Sequence, residues 1–189
     1  MNNLDSMPTL TTPRLILKSF TVDQLETVHR WLNDPELAYY DDDEPPTETS
    51  STLEETKTTL ARWINRPLSS GIIDLAIHKQ ENDQAIGFCQ IAHIDTYNQR
   101  CDLGIVIGHK PDWGNGYANE AVQALIRYCF VELKLNRIGA EIYEFNHRSL
   151  KLFKKLGFQQ EGTKRQYVFK DNQFKDELVF SLLRGDWQE

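Results

Sequence analysis

Two glycines carry the first chemical signal. Trp113-Gly114-Asn115-Gly116-Tyr117-Ala118 lies between an apolar run, Asp102–Gly108, and a helical pattern that begins at once after it. Glycine lets the backbone come close to a ligand, and the first N–H groups of a helix have no intrahelical acceptor. Those donors, with the helix dipole, make an anion site suited to a pyrophosphate. A tight strand-to-helix turn would use the same glycines without any ligand. Two nucleotide motifs compete for the loop, and neither fits. A dinucleotide fingerprint needs glycine at position 119, where Asn119 stands, and an open parallel series around it. The G-x-x-x-x-G-K-[ST] phosphate loop is absent from the chain.

Other reactive side chains point to less. His93 and Asp95 share a strand face and His147 lies downstream, but a metal wants three or four converging ligands, so no metal is expected. Cys89, Cys101 and Cys129 are odd in number, widely spaced and free of any Cys-x-x-Cys pair. That excludes a disulfide scaffold and a zinc knuckle and fits a reducing cytoplasm. Cys129, on an apolar helix face, reads as core.

These residues need a frame, and 189 residues with 40% apolar and 11% aromatic content supply one domain, 1–189, with a sizeable core. Met1–Thr12 has no apolar signal region, and no apolar run approaches the roughly 20 residues of a membrane helix. No membrane partner is expected, and the location expected is cytoplasmic. Residues 1–96 carry 16 acids against 7 Lys/Arg, whereas residues 97–189 carry 12 against 14. This balance disfavours nucleic acid; it gives an acidic front able to attract a cation and a back half able to host phosphates. A solvated acidic loop accounts equally well for the front.

Pro13–Phe20 alternates as a strand. Thr21 and Gln24 form a capping box for a helix through Leu25, Val28, Trp31 and Leu32, which Asn33-Asp34-Pro35 stops. Asp41–Pro46 must be a loop. Thr52 and Glu55 cap a second helix running to about Asn65. Ile73–His78 and Ala85–Tyr97 make a hairpin, Asp102–Gly108 a third strand of that group, and Glu120–Leu133 a strong helix. Arg137–Tyr143 is a strand, and Arg148–Leu156 a helix closed by Gly157. Phe158–Phe169 and Phe174–Leu183 form the closing hairpin. The class is α+β, a mixed sheet covered by helices.

At this point the sequence resembles the GNAT superfamily of N-acetyltransferases, in its RimJ/RimL-like branch. Trp113–Ala118 matches that family's Q/R-x-x-G-x-G/A loop, with Trp in the first place. Asn146-His147-Arg148-Ser149 followed by Lys155-Leu156-Gly157-Phe158 resembles its N-x-x-S…K-x-G-F signature. Arg14–Leu17, Trp31–Pro35, Asp176–Leu183 and Gly185–Trp187 also look like this branch, so the resemblance covers nearly the whole chain. It implies a splayed mixed sheet of about seven strands flanked by about four helices. Asp102–Gly108 and Arg137–Tyr143 would be the parallel strands that part. The cosubstrate implied is acetyl-coenzyme A, with its pantetheine arm along Ile105, Val106 and Ile107 and its pyrophosphate at Trp113, Gly114, Asn115, Gly116, Tyr117, Ala118 and Asn119. Asn146 would bond the arm or the thioester. One departure is His109-Lys110, which lengthens the approach to the loop by one residue and sends Lys110 either to a phosphate or to water.

The chemistry implied is direct acetyl transfer to a primary amine, which needs a neutral amine, an oxyanion donor and a proton for the departing thiolate. Backbone N–H near Ile107 would serve the oxyanion, and Ser149 would give the proton, although a serine at a helix start also serves as a cap. Members of this branch carry a Glu base on the strand after the K-x-G-F helix; here Val168 stands there, with Gln166, Tyr167 and Lys170 nearby, and a water chain ending on Glu141 or another acid is the alternative. An α-amine with pKa about 7.7–8.0 costs about 1 kcal/mol to deprotonate at pH 7, against about 4–5 for a lysine-like amine. A protein N-terminal α-amine is therefore one acceptor, and a polyamine, aminoglycoside or amino acid the alternative. A non-catalytic acyl-coenzyme A sensor and a module docking through the acidic loop are the readings from other classes. A homodimer is left open.

Overall fold

The computed structural model describes residues 6–41 and 51–188. Of the acidic stretch Asp41–Pro46, only the backbone of Asp41 is among them, so the loop expected there lies outside the described residues. The strands are β1 (Leu10–Thr11), β2 (Leu15–Lys18), β3 (Ile73–Lys79), β4 (Ala85–Asp95), β5 (Arg100–Val106), β6 (Arg137–Tyr143), β7 (Gln159–Lys170) and β8 (Gln173–Leu183). The α-helices are α1 (Leu25–Leu32), α2 (Pro35–Asp41), α3 (Leu53–Ile64), α4 (Tyr117–Arg127) and α5 (His147–Lys155). They build a mixed α/β fold around one sheet of order β1-β2-β3-β4-β5-β6-β8-β7. Among the described residues only β5 and β6 run parallel. A strand and a helix are added to the expected set: β1, too short to show a period, and α2.

Local chemistry explains the elements. Thr21 with Gln24 and Thr52 with Glu55 both form the capping boxes their spacing predicts. Helix α1 does end before Asn33-Asp34-Pro35, but the same residues start α2. Asp34 Oδ1 accepts from the N–H of Glu36 (3.0 Å) and Leu37 (3.3 Å), and Pro35 takes the first helical place, where a missing N–H costs nothing. Helix α4 begins at Tyr117, three residues earlier than its apolar pattern, and Tyr128–Glu132 continues it as a π-turn. At the end of α5, Gly157 takes φ +89°. Its N–H donates to Lys154 and that of Phe158 to Phe153, while the two phenylalanine rings meet at 4.9 Å. This Schellman ending turns the chain into β7.

Burial sits on both faces of the sheet. β3 sends Ile73, Leu75 and Ile77 to a core shared with Val122, Leu125 and Ile126 of α4 and Phe153 of α5. Its Ala76 joins Val28, Trp31 and Leu60 on the opposite face under α1 and α3. Period-two alternation thus holds helices against both faces. Among the described residues no helix is long and apolar enough to cross a membrane.

Candidate active site

The parallel ladder between β5 and β6 is three pairs long: Arg100↔Arg137, Cys101↔Ile138 and Asp102↔Gly139. Beyond it β5 stays on β4 as far as Phe88↔Val106, while β6 follows β8 as far as Tyr143↔Glu177. Each strand then has one neighbour, and the backbone groups on its other edge face a gap. A cleft of about 660 Å³ opens there. Ile105, Val106 and Ile107 line one wall, Asn146, Ser149 and Leu152 another, and Leu37 and Tyr40 of α2 a third.

The glycine loop forms the floor. Gly114 and Gly116 have φ +79° and +82°, a left-handed backbone that a β-branched residue takes only with strain. Gly116 is the N-cap of α4, so the N–H groups of Tyr117, Ala118 and Asn119 have no intrahelical acceptor. Trp113 ties the loop to the strand, its Nε1–H donating to the Ile107 carbonyl at 2.6 Å. Among the predicted loop residues Asn115 alone is off the lining: it is exposed, and its carbonyl accepts from Arg14 Nη1 at 3.0 Å.

That contact reveals a brace that spacing could not show. Arg14, just before β2, reaches Glu120 of α4 through Nε at 2.6 Å and lies over the Tyr117 ring at 4.5 Å. Glu120 also accepts from Thr12 Oγ1 (2.6 Å) and the Arg14 backbone N–H (2.8 Å). Burial alone would raise the Glu120 pKa, but these donors hold it below the ordinary value. More than 100 residues separate the partners.

Asn146 and Ser149 do meet in the cleft. Asn146 caps α5, its Oδ1 accepting the Ser149 N–H at 3.1 Å, which leaves its amide N–H₂ to donate. The capping oxygen therefore belongs to Asn146, and the Ser149 hydroxyl makes no hydrogen bond among the described residues. Asn119 Oδ1, on the cleft lining, is buried without a hydrogen-bond partner among the described residues.

Lys110 lies over the Trp113 ring, its Nζ 5.9 Å from the ring centre, and is also drawn to carboxylates. Its Nζ pairs with Asp34 at 2.7 Å and Glu36 at 3.1 Å, and these contacts raise its pKa. Arg148 stacks on Trp113 at 4.3 Å and approaches Glu36 at 3.7 Å, so α2, the loop and α5 meet around one indole. Carboxylates near the cleft are similarly occupied. Asp112 lines it but holds His109 Nδ1 at 2.7 Å and Lys79 at 3.5 Å. Glu141 pairs with Lys164 at 2.6 Å, and Glu141 is not on the lining. Val168 is buried in β7, next to a break in its register with β8. Among the described residues no three His, Cys, Asp or Glu side chains cluster as a metal site.

Comparison with known proteins agrees with this geometry. Residues 14–159 match the family model described as an acetyltransferase (GNAT) domain. The chain is 35% identical over 182 residues to the uncharacterized N-acetyltransferase p20 of Bacillus licheniformis, covering 96% of this chain and 99% of that protein. Over 88 residues, 46% of this chain and 44% of that one, it is 39% identical to the [ribosomal protein uS5]-alanine N-acetyltransferase of Escherichia coli (strain K12). Among solved structures, spermidine N-acetyltransferase from Vibrio cholerae, in complex with CoA and spermine, shares its fold with a TM-score of 0.78 at 19% identity, covering 93% of this chain and 98% of that one. A family model over most of the chain, a full-length relative at this identity and the parted parallel strands lead to one statement: the chain belongs to the GNAT family of acetyltransferases, acyltransferases that use acetyl-coenzyme A.

Proposed function

We propose that the chain binds acetyl-coenzyme A in the β5–β6 cleft and transfers its acetyl group directly to the α-amine of a polypeptide N-terminus. One observation carries the coenzyme part: three open N–H donors of α4, behind two left-handed glycines, adjoin the free edge of a parting strand. Donors in that array suit a pyrophosphate, and a strand edge suits the amides of a pantetheine arm. The buried acceptor on Asn119 and the donating amide of Asn146 fit the same molecule.

Acetyl-coenzyme A supplies an acetyl group already activated as a thioester. The chain's part is to orient that group, exclude water and handle protons. Loop N–H groups at Tyr117–Asn119 hold the phosphates, and backbone N–H near Ile107 faces the acyl oxygen as negative charge develops. The Ser149 hydroxyl, free of other partners among the described residues, donates a proton to the leaving sulfur, a modest aid because a thiol has a pKa of about 8.5. The amine arrives neutral. The carboxylates near the cleft are held by His109, Lys79 or Lys164, so an acceptor that is already partly neutral at pH 7 suits this site best.

Thiol release with a panel of amines tests the proposal. A peptide with a free N-terminus should give the highest kcat/KM at pH 7, above spermidine, an aminoglycoside and an Nα-blocked lysine peptide. A preference for spermidine or the aminoglycoside would replace the polypeptide acceptor with a small molecule. Coenzyme binding without release for any amine would support a sensor.

A further inference from the structure

Helix α2 supplies one wall of the cleft, and aromatic rings pin it there. Tyr39 is taken up by packing. Its hydroxyl donates to Asp171 Oδ2 at 2.5 Å, Lys170 Nζ lies 5.7 Å from its ring centre, and the Phe145 ring meets it at 5.1 Å. Tyr143 is buried and stacks on Phe145 at 5.2 Å. Tyr40 differs. It lines the cleft beside Leu37, is only half-buried, and lies 6.2 Å from the Phe145 ring. Phe145, also half-buried, immediately precedes the α5 cap Asn146, so the two rings adjoin the end of the cleft that holds Asn146 and Ser149.

Charge decides what such a wall can take. Arg148, Lys151 and Lys155 line the cleft against one carboxylate among the described residues, Asp112, which His109 and Lys79 already hold. The charged group over Tyr39, Lys170, is itself a cation. A cationic side chain brought from water to this wall loses its hydration and meets no open carboxylate on the lining. An apolar side chain gains from the same move, in proportion to the area it covers.

From this we infer that Tyr40 and Phe145 form the pocket for the first side chain of the polypeptide acceptor and select an apolar one. The inference rests on the polypeptide reading of the acceptor and names which N-termini are preferred. A side chain seated on the two rings holds its α-amine in one orientation toward the thioester. The pocket therefore sets specificity without touching the reacting atoms.

Thiol release at pH 7 with peptides that differ only in residue 1 (Leu, Phe, Gly or Lys) tests it. In the parent, kcat/KM for the Leu and Phe peptides should exceed that for Gly and for Lys by about tenfold, the ordinary yield of an apolar pocket. Tyr40→Ala should cut that ratio to about threefold or less, and Tyr40→Phe should keep it. The ratio is read within one variant, so loss of folded protein cancels. A parent that acetylates all four peptides equally would overturn the pocket and leave the polypeptide acceptor standing. A preference for the Lys peptide would overturn it in favour of a cation site. Tyr40→Ala that melts lower yet keeps the parent's ratio would overturn it too, leaving Tyr40 as packing for α2. Failure to acetylate any peptide would overturn the polypeptide reading as well.

Discussion

Asn146 and Ser149 occupy one helix end and do different work there. Because Asn146 supplies the capping oxygen and Ser149 only its backbone N–H, Ser149→Ala should leave the melting temperature unchanged. It should lower kcat by about 10- to 100-fold with coenzyme affinity kept, since a thiolate needs less help than an alkoxide. Asn146→Ala should cost about 1 kcal/mol of stability and weaken coenzyme binding too. Kinetics and melting on the two variants check this; a lower melting point with normal kcat in Ser149→Ala would remove the hydroxyl from the chemistry. Resemblance to the N-x-x-S signature brought both side chains to attention. The Arg14–Glu120 brace stayed hidden because its partners are far apart in the chain, and the ion pairs of Lys110 because Asp34 and Glu36 sit at the start of a helix that the sequence pattern did not disclose.

The element that decides binding is the turn from β5 into α4. Gly116→Val puts a β-branched residue at φ +82°, with its Cβ 3.5 Å from Arg14 Nη2. A left-handed conformation costs about 1–2 kcal/mol for an L-residue, and the side chain would crowd the approach to the N–H donors. Coenzyme affinity should fall at least about tenfold, the equivalent of about 1.4 kcal/mol, in a protein that still folds; unchanged affinity in a titration would refute the loop's role. Hairpins, capping boxes and the glycine loop were legible because each is written in a few neighbouring residues. Helix α2 was not, because Asp34-Pro35 ends one helix and begins another, and a stop and a start look alike there. The early start of α4 at Tyr117 and its π-turn ending follow from the loop and from packing, which periodicity does not report.

At the scale of the whole molecule, Glu161 of β7 ties three strands by accepting from Arg137 of β6 and Ser181 of β8. The Arg137 guanidinium, then the Ser181 hydroxyl, lower its pKa to about 2. A depressed carboxylate stabilises the fold fully above its unfolded value of about 4.3 and loses that contribution as pH falls through the folded value. The urea midpoint should therefore drop between about pH 4.5 and 2, and more shallowly in Arg137→Gln, which starts lower at pH 7; parallel slopes would contradict this pairing. A ligand that binds only the folded chain raises stability by mass action over all of these contacts. At 100 times its dissociation constant acetyl-coenzyme A should add about 2.7 kcal/mol, or roughly 5–10 °C in melting temperature for a chain of this size. Melting the parent and Gly116→Val side by side with and without millimolar acetyl-coenzyme A is the most direct test of the cleft. A rise in the parent that is lost or much reduced in the variant is the result predicted; no rise in the parent, or an equal rise in both, would contradict it.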